Sequence, residues 1–143
     1  MEVVKLDEDV IKTVKSTIPI LEKDGIKITS RMYQLLFERY PMTKSMFKKD
    51  NSKGLAMALL LYAKNIENID AISSQLDAIA TSHVKAGVSK EMYKWVKECL
   101  RDAMVEVLKI PPSSNIISAW MKAYDYLASI LIEKEENLRK QGI

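Results

Sequence analysis

The segment LDAIATSHVKAGVSKEMY at residues 76–93 carries the only histidine of the chain. Leu76, Ile79 and His83 recur at the i, i+3, i+7 spacing of one helical face, which predicts that His83 points in the same direction as its apolar neighbours. Gly87 follows four residues later and predicts the end of this helix. The segment therefore predicts a helical protein in which a single histidine faces the interior.

Length and composition indicate one globular domain spanning residues 1–143. The chain is 48% hydrophobic and 29% charged, with four glycines and four prolines, which favours packed helices over disorder. A net charge of +3 gives no reason to expect nucleic acid as a partner. Cys99 is the only cysteine, so the sequence excludes an internal disulfide and a cysteine-cluster zinc site.

The sequence shows no sign of targeting or of membrane insertion. Its first residues, MEVVKLDEDVIK, lack the apolar core of a signal peptide. The longest apolar run, Leu55 to Ala63, is about half as long as a helix that spans a bilayer. The expected location is the cytoplasm, without membrane contact.

Apolar periodicity and helix-breaking residues predict an all-α fold of about seven helices. The first helix is expected to bend at Pro19 and to end at the turn signal Asp24–Gly25. The second is expected to end at Pro41, with one short helical turn before Phe47. Periodicity alone does not distinguish helices crossed around a cavity from a nearly parallel bundle.

The C-terminal half is expected to contain two long helices with serine caps. Ser89 is the predicted N-cap of a helix that runs through Lys109, and Ser113 or Ser114 is the predicted N-cap of the last helix. These caps would place Tyr93 near the start of the first of the two helices.

Four polar side chains stand on otherwise apolar helical stripes: His83, Tyr33, Tyr93 and Glu135. Burial of such groups is costly unless they find hydrogen-bonding partners. Glu135 comes four residues after Leu131, in line with the apolar stripe of the last helix. One interpretation is that the histidine and tyrosines are ordinary core residues and that Glu135 lies at the solvated end of its stripe. The other is that all four belong to one functional site.

A haem site is the functional interpretation, because one inward histidine is the least that a haem iron needs as an axial ligand. A ligating histidine usually donates its second ring N–H to a carboxylate or another acceptor, and Glu135 and Tyr93 are candidates to orient His83 in this way. On the opposite face, Phe47 is a candidate for an aromatic wedge against the haem. The Tyr33 hydroxyl is a candidate hydrogen-bond donor to a bound gas molecule.

Four segments carry a resemblance to a known family. They are TIPILEKDGIKITSRMYQLLFERYP at 17–41, LAMALLLYAKNIENI at 55–69, IATSHVKAGV at 79–88 and AWMKAYDYLASILIEKEENL at 119–138. They are distributed along most of the chain, from residue 17 to residue 138. In these segments and their spacing the sequence resembles the single-domain bacterial globins and the haem domain of flavohaemoglobins.

The resemblance implies a globin fold around haem b, with His83 as the iron ligand. It assigns Tyr93 and Glu135 to the proximal network, Tyr33 to the distal hydrogen bond and Phe47 to the haem wedge.

The resemblance also implies further pocket residues. Leu55 is expected to face the ligand, and Val96 to contact the haem. Asn51 occupies the place of the family's distal glutamine, in a segment between Phe47 and Leu55 that is shorter than in the family.

The predicted function is reversible binding of oxygen by pentacoordinate haem. The alternative is nitric oxide dioxygenation, in which an external flavin reductase returns the iron to its reduced state, because the flavin and nicotinamide domains of flavohaemoglobins are not expected within this chain. A sensor of diatomic gases and a globin-like module without haem are further alternatives. A monomer or a weak homodimer is expected.

Five lysines are expected near the haem edge: Lys44, Lys48, Lys49, Lys53 and Lys85. They are open to three interpretations, namely an ordinary solvated surface, partners of the haem propionates, or a docking surface for an acidic electron donor.

Overall fold

The computed structural model describes residues 6–47 and 50–142. These residues form six α-helices, which in chain order are α1 (Glu8–Ser16), α2 (Ile18–Arg39), α3 (Ser52–Lys64), α4 (Ser73–Ala86), α5 (Met92–Leu108) and α6 (Asn115–Lys140). Two short 3-10 helices, Pro41–Met46 and Ile69–Ile72, precede α3 and α4. The described residues contain no strand, so the all-α prediction is confirmed.

The boundary between the first two helices differs from the prediction. The first helix is interrupted at Thr17, and Pro19 lies in the first turn of α2. At this position the missing N–H of proline leaves no hydrogen bond unmade. The predicted turn at Asp24–Gly25 is wrong, because both residues lie inside α2. Gly25 is buried, and a Cβ at this position would lie 3.5 Å from the Cβ of Ala56 on α3, which is an ordinary contact.

Two of the predicted helix boundaries hold and one does not. The short helical turn after Pro41 is present as a 3-10 helix, and the side chain of Ser114 caps α6 by accepting a hydrogen bond from the Ile116 N–H at 3.2 Å. Ser89 is not a helix cap, because α5 begins at Met92. The carbonyl of Ser89 instead accepts a hydrogen bond from the Met92 N–H at 3.1 Å, and this turn makes a side-chain cap unnecessary.

Helix packing leaves α4 apart from two of its neighbours. The helices α3 and α5 both pack against α2, whereas α1 and α4 both pack against α6. In the described part of the chain, the backbones of α3 and α5 do not pack closely along α4. Because α4 carries His83, the histidine is held mainly against α6, and its side chain also reaches Tyr93 at the start of α5.

The core lies between α2, α3, α5 and α6. Trp120 is the largest fully buried side chain, and its indole N–H donates to the Thr17 hydroxyl at 2.9 Å. The Tyr62 hydroxyl donates to the carbonyl of Ala123 at 2.6 Å, so both large side chains satisfy their polar atoms inside the core. In the described part of the chain, none of the helices is both long and apolar enough to cross a bilayer.

Candidate functional site

The structure brings together three of the predicted site residues, from three different helices. His83 on α4, Tyr93 on α5 and Glu135 on α6 meet in one hydrogen-bonded cluster. The Nδ1 atom of His83 lies 2.9 Å from the Tyr93 hydroxyl oxygen and 3.1 Å from Glu135 Oε2. The Tyr93 hydroxyl donates to the same Glu135 oxygen at 2.5 Å.

The hydrogen-bond directions in this cluster determine which nitrogen of His83 carries the proton. The carboxylate of Glu135 can only accept, and the Tyr93 proton is already directed at it. The Nδ1 atom must therefore carry the hydrogen that points at these two oxygens, which leaves the lone pair of the neutral ring on Nε2. The cluster thus leaves Nε2 as the ring nitrogen of His83 that could bind a metal.

Burial differs sharply across the cluster. The Glu135 side chain is 2% exposed and that of His83 is 31% exposed. Glu135 therefore lies in the interior, and the interpretation that it ends a solvated stripe is wrong. In the described part of the chain no buried side-chain nitrogen or oxygen lacks a partner, and none of those residues bonds to Nε2 of His83. It follows that Nε2 is not sealed inside the protein.

Backbone geometry at the end of α4 holds His83 in place. Gly87 adopts a left-handed conformation with φ of 79°, which a glycine takes without steric cost. The carbonyl of His83 then accepts the Val88 N–H at 3.0 Å, and the carbonyl of Val84 accepts the Gly87 N–H at 3.2 Å. These two bonds form the usual glycine-terminated end of a helix, and they restrain the backbone of His83 directly.

Tyr93 is a neutral donor that its surroundings keep protonated. Burial raises the pKa of its hydroxyl, and the hydrogen bond to Glu135 and the negative charge of that carboxylate raise the pKa further. The backbone carbonyl of Tyr93 accepts a hydrogen bond from the Tyr124 hydroxyl at 2.7 Å. Tyr124 therefore ties the first turn of α5 to α6 next to Glu135.

A second group of predicted residues forms an aromatic cluster beyond the first 3-10 helix. The ring centroids of Tyr33 and Phe47 are 5.2 Å apart, edge to face. Phe37 lies 5.8 Å from Tyr33 and 5.9 Å from Phe47. Such contacts favour a defined orientation of the rings, so Phe47 is anchored although its own segment is irregular.

Asn51 joins this second group through Tyr33. Its side-chain amide donates to the Tyr33 hydroxyl oxygen at 3.3 Å, so the hydroxyl hydrogen of Tyr33 stays available to another acceptor. Burial raises the pKa of Tyr33, and the hydrogen bond from Asn51 lowers it. Accepting a hydrogen bond polarises the hydroxyl and strengthens it as a donor.

The remaining predicted residues are two apolar residues and five lysines. Leu55 and Val96 are half-buried and pack against the core. Lys44, Lys53 and Lys85 are exposed and form no ion pair with any other described residue. Lys48 and Lys49 lie outside the described residues.

The residues present fit a haem. Among the described residues, no group of three or more His, Cys, Asp or Glu side chains can hold a metal ion, so a metal at His83 needs a cofactor that supplies its other ligands. A planar cofactor could reach His83 from its exposed side, because 31% of that side chain is open to solvent. The unsealed Nε2 of His83 is the donor expected for haem iron.

A cavity of about 730 Å³ lies away from these residues. It is lined by side chains of α1, of α6 and of the segment that follows α3, among them Ile11, Lys15 and Tyr126. None of the predicted site residues lines it, so it is separate from the candidate site.

Three residues close to the predicted site residues, namely Tyr124, Thr29 and Gly54, were not predicted from the sequence. Tyr124 lies four residues after Trp120 in the last helix, and nothing in its position indicates that its hydroxyl reaches the carbonyl of Tyr93. Thr29 lies four residues before Tyr33 on α2, and Gly54 lies three residues after Asn51. The one available signal was the position of Thr29, a polar residue on the same helical face as Tyr33.

Comparisons with known proteins agree with this geometry. The sequence model of the globin family matches residues 30–131. An uncharacterised globin-like protein of Aquifex aeolicus is 42% identical over 139 residues, which cover 95% of this chain and 99% of that protein. The flavohaemoprotein of Schizosaccharomyces pombe is 35% identical, in a match that covers 96% of this chain and 34% of the yeast protein.

A solved structure is similar over the same extent. An engineered carbene transferase, made from a proposed nitric oxide dioxygenase of Rhodothermus marinus, is 40% identical with a TM-score of 0.91 and covers 94% of this chain and 96% of its own. The family match covers most of the chain, and the Aquifex relative matches along nearly its whole length. The chain belongs to the globin family.

Proposed function

We propose that this globin binds haem b through Nε2 of His83 and binds oxygen reversibly on the opposite face of the haem. One observation carries the proposal. The Nδ1 atom of His83 is engaged by Tyr93 and Glu135, so the histidine is fixed in the tautomer and orientation that a proximal ligand needs.

Haem supplies an iron atom whose sixth position can bind a diatomic gas. The chain supplies what surrounds it. Glu135 and Tyr93 hold the imidazole ring so that its lone pair is directed out of the cluster. On the distal side, the Tyr33 hydroxyl hydrogen is free because Asn51 donates to the Tyr33 oxygen, and the hydroxyl would donate to a bound ligand. Phe47, Leu55 and Val96 would provide apolar walls that exclude water.

A haem titration tests this proposal. Haem-free protein should take up one equivalent of haem with a sharp absorption band in the Soret region, and the reduced protein should bind oxygen and release it under vacuum. Absence of a saturable Soret change at one equivalent would contradict haem binding and would favour the globin-like module without haem. Haem uptake without reversible oxygen binding would contradict the oxygen-binding role alone.

Nitric oxide dioxygenation is the second candidate, and the position of Glu135 favours it. A carboxylate hydrogen-bonded to a ligating histidine raises the basicity of the ring and pushes electron density towards the metal. That push suits the activation of oxygen better than its storage. The overall reaction joins one NO, one O₂ and one electron to give one nitrate ion.

The electron for this reaction would come from a separate flavin reductase. The chain spans about a third of the length of the flavohaemoproteins that it matches, and we propose that a partner protein supplies the reducing function. Nitrate formation should then be measured with the oxygenated globin, a flavin reductase and NADPH. Turnover no faster than that of free haem would contradict the dioxygenase and leave oxygen binding as the function.

A further inference from the structure

The beginning of α3 is fixed to α2 by a buried hydrogen bond. The Thr29 hydroxyl donates to the backbone carbonyl of Ser52 at 2.7 Å and lies 3.2 Å from the carbonyl of Ile26 in its own helix. Thr29 is fully buried and Ser52 is 4% exposed. The contact across helices is therefore shielded from water, where a hydrogen bond is stronger than at the surface.

Two further hydrogen bonds fix the same turn of backbone. The Ser52 N–H donates to the side chain of Asp50 at 3.0 Å. The carbonyl of Asn51 accepts the Leu55 N–H at 2.9 Å, which opens the first turn of α3. These hydrogen bonds fix the backbone on either side of the Asn51 side chain, although Asn51 itself is exposed to solvent.

The side chain of Asn51 needs the glycine at position 54. A Cβ at Gly54 would lie 2.7 Å from Asn51 Oδ1 and 3.5 Å from its Cγ. No ordinary contact is that short, so any larger residue would push the amide aside. With glycine, the amide can lie over the first turn of α3 and donate to the Tyr33 hydroxyl at 3.3 Å.

We propose that Thr29 and Gly54 are positioning residues for the distal hydrogen-bond donor, the Asn51–Tyr33 pair. Thr29 sets where the backbone of α3 begins, and Gly54 leaves space for the amide of Asn51. Neither residue touches the ligand. Their effect passes through Asn51, whose amide keeps the Tyr33 hydroxyl directed into the pocket and polarised as a donor. This inference rests on the proposed function, because it assumes that a ligand is bound beside Tyr33.

The first test compares two isosteric threonine substitutions in the haem-loaded protein. Thr29→Val keeps the shape and removes the hydroxyl, and Thr17→Val does the same at another buried threonine whose hydroxyl bonds to a backbone carbonyl, that of Val14 at 2.6 Å. Loss of one hydrogen bond to the ligand corresponds to about a fivefold faster oxygen dissociation. We expect this change for Thr29→Val and none for Thr17→Val, although both variants should lose stability.

The conservative variant and the spectroscopic readout separate positioning from a general loss of stability. Thr29→Ser retains the hydroxyl and should return the dissociation rate to within about twofold of the original. The stretching frequency of bound carbon monoxide reports the field of the distal donor. It should shift in Thr29→Val towards its value in Asn51→Ala and stay unchanged in Thr17→Val. Thr29→Val added to Asn51→Ala should change neither quantity further.

Gly54→Ala tests the other half of the proposal without relying on a destabilised variant. Alanine is a better helix former than glycine, so this variant should be at least as stable as the original protein. It should nevertheless release oxygen faster and shift the carbon monoxide frequency in the same direction as Asn51→Ala.

The outcomes distinguish this inference from the proposed function. If the protein does not bind haem, the proposed function fails and the inference with it. If haem binds and Tyr33→Phe speeds oxygen release, but Thr29→Val and Gly54→Ala behave like the original protein, only the positioning role is overturned. An unchanged dissociation rate in Tyr33→Phe would also overturn it, because no distal donor would then need positioning.

Discussion

Replacement of Glu135 by glutamine is expected to lower the free energy of unfolding and also to lower the basicity of His83, the proposed iron ligand. The carboxylate accepts hydrogen bonds from Tyr93 at 2.5 Å and from His83 Nδ1 at 3.1 Å. Two bonds to a charged acceptor contribute about 1.5 kcal/mol each, and glutamine can keep one neutral bond of about 1 kcal/mol, which leaves a loss of about 2 kcal/mol. Relief of the cost of burying the charge reduces this loss, so about 2 kcal/mol is an upper value.

The assay is urea unfolding, with and without haem, of Glu135→Gln and of the matched variant Glu136→Gln. Glu136 is the next residue and is exposed, so its substitution should leave the unfolding midpoint within error of the original. In the reduced haem protein, the iron–histidine stretching frequency should fall in Glu135→Gln, because a neutral amide makes the imidazole less basic. Equal midpoints and equal frequencies for the two variants would refute the role assigned to this carboxylate.

The same substitution should change how the free energy of unfolding depends on pH in the alkaline range. Folding raises the pKa of Tyr93 above its unfolded value of about 10. Its contribution to stability is therefore complete below about pH 10 and is lost as the pH rises through the folded pKa. Glu135→Gln removes the two contributions of the carboxylate and leaves burial, so the folded pKa of Tyr93 should be raised less and the free energy of unfolding should fall less steeply above about pH 10 than in the original protein. An identical alkaline transition would contradict this coupling.

Three other outcomes are expected. His83→Ala should lose haem during gel filtration and retain it when imidazole is added; retention without imidazole would contradict the ligand assignment. Gly87→Ala introduces a side chain at φ of 79° and should lower the free energy of unfolding by about 1 kcal/mol or more, whereas Gly142→Ala, at φ of 80° near the chain end, should have little effect. Burial raises the pKa of the Cys99 thiol to about 11, so its labelling by a thiol reagent at neutral pH should occur only as fast as the protein unfolds. Immediate labelling would contradict its burial.

Helical periodicity placed His83 and Glu135 on inward faces, and the resemblance to the globins joined them with Tyr93 in one network. His83 and Glu135 each continue an apolar stripe, and Tyr93 lies near the start of a helix. Once α4 and α5 pack on α6, residues on those faces must approach one another. The cost of burying a carboxylate alone was the argument for expecting partners, and the two hydrogen bonds of Glu135 provide them.

The errors arise where tertiary packing overrides local preferences. Asp24–Gly25 has the composition of a turn, yet α2 continues through it and buries Gly25 on the face that packs on its neighbours. Ser89 has the composition of a helix cap, yet a backbone turn to Met92 replaces it. The hydrogen bond from Thr29 to Ser52 was also beyond prediction, because it depends on where two helices cross, and the periodicity of either helix alone does not determine that point.

The two groups of site residues differ in how firmly they are held. This difference predicts which substitutions change the unfolding midpoint and which change only ligand dissociation. The proximal group is centred on a carboxylate that is 2% exposed, and its loss leaves buried donors without an acceptor, so it affects stability and ligand chemistry together. The distal pair ends in Asn51, which is exposed. Removing its amide takes one partner from the Tyr33 hydroxyl, and water can take the place of the amide because Asn51 lies at the surface. Distal substitutions should therefore change ligand dissociation with little change in the unfolding midpoint, whereas proximal substitutions should change both.

Thr29 is the informative exception. It acts on the distal pair from a buried position, so it should behave like a proximal residue in unfolding and like a distal residue in ligand release.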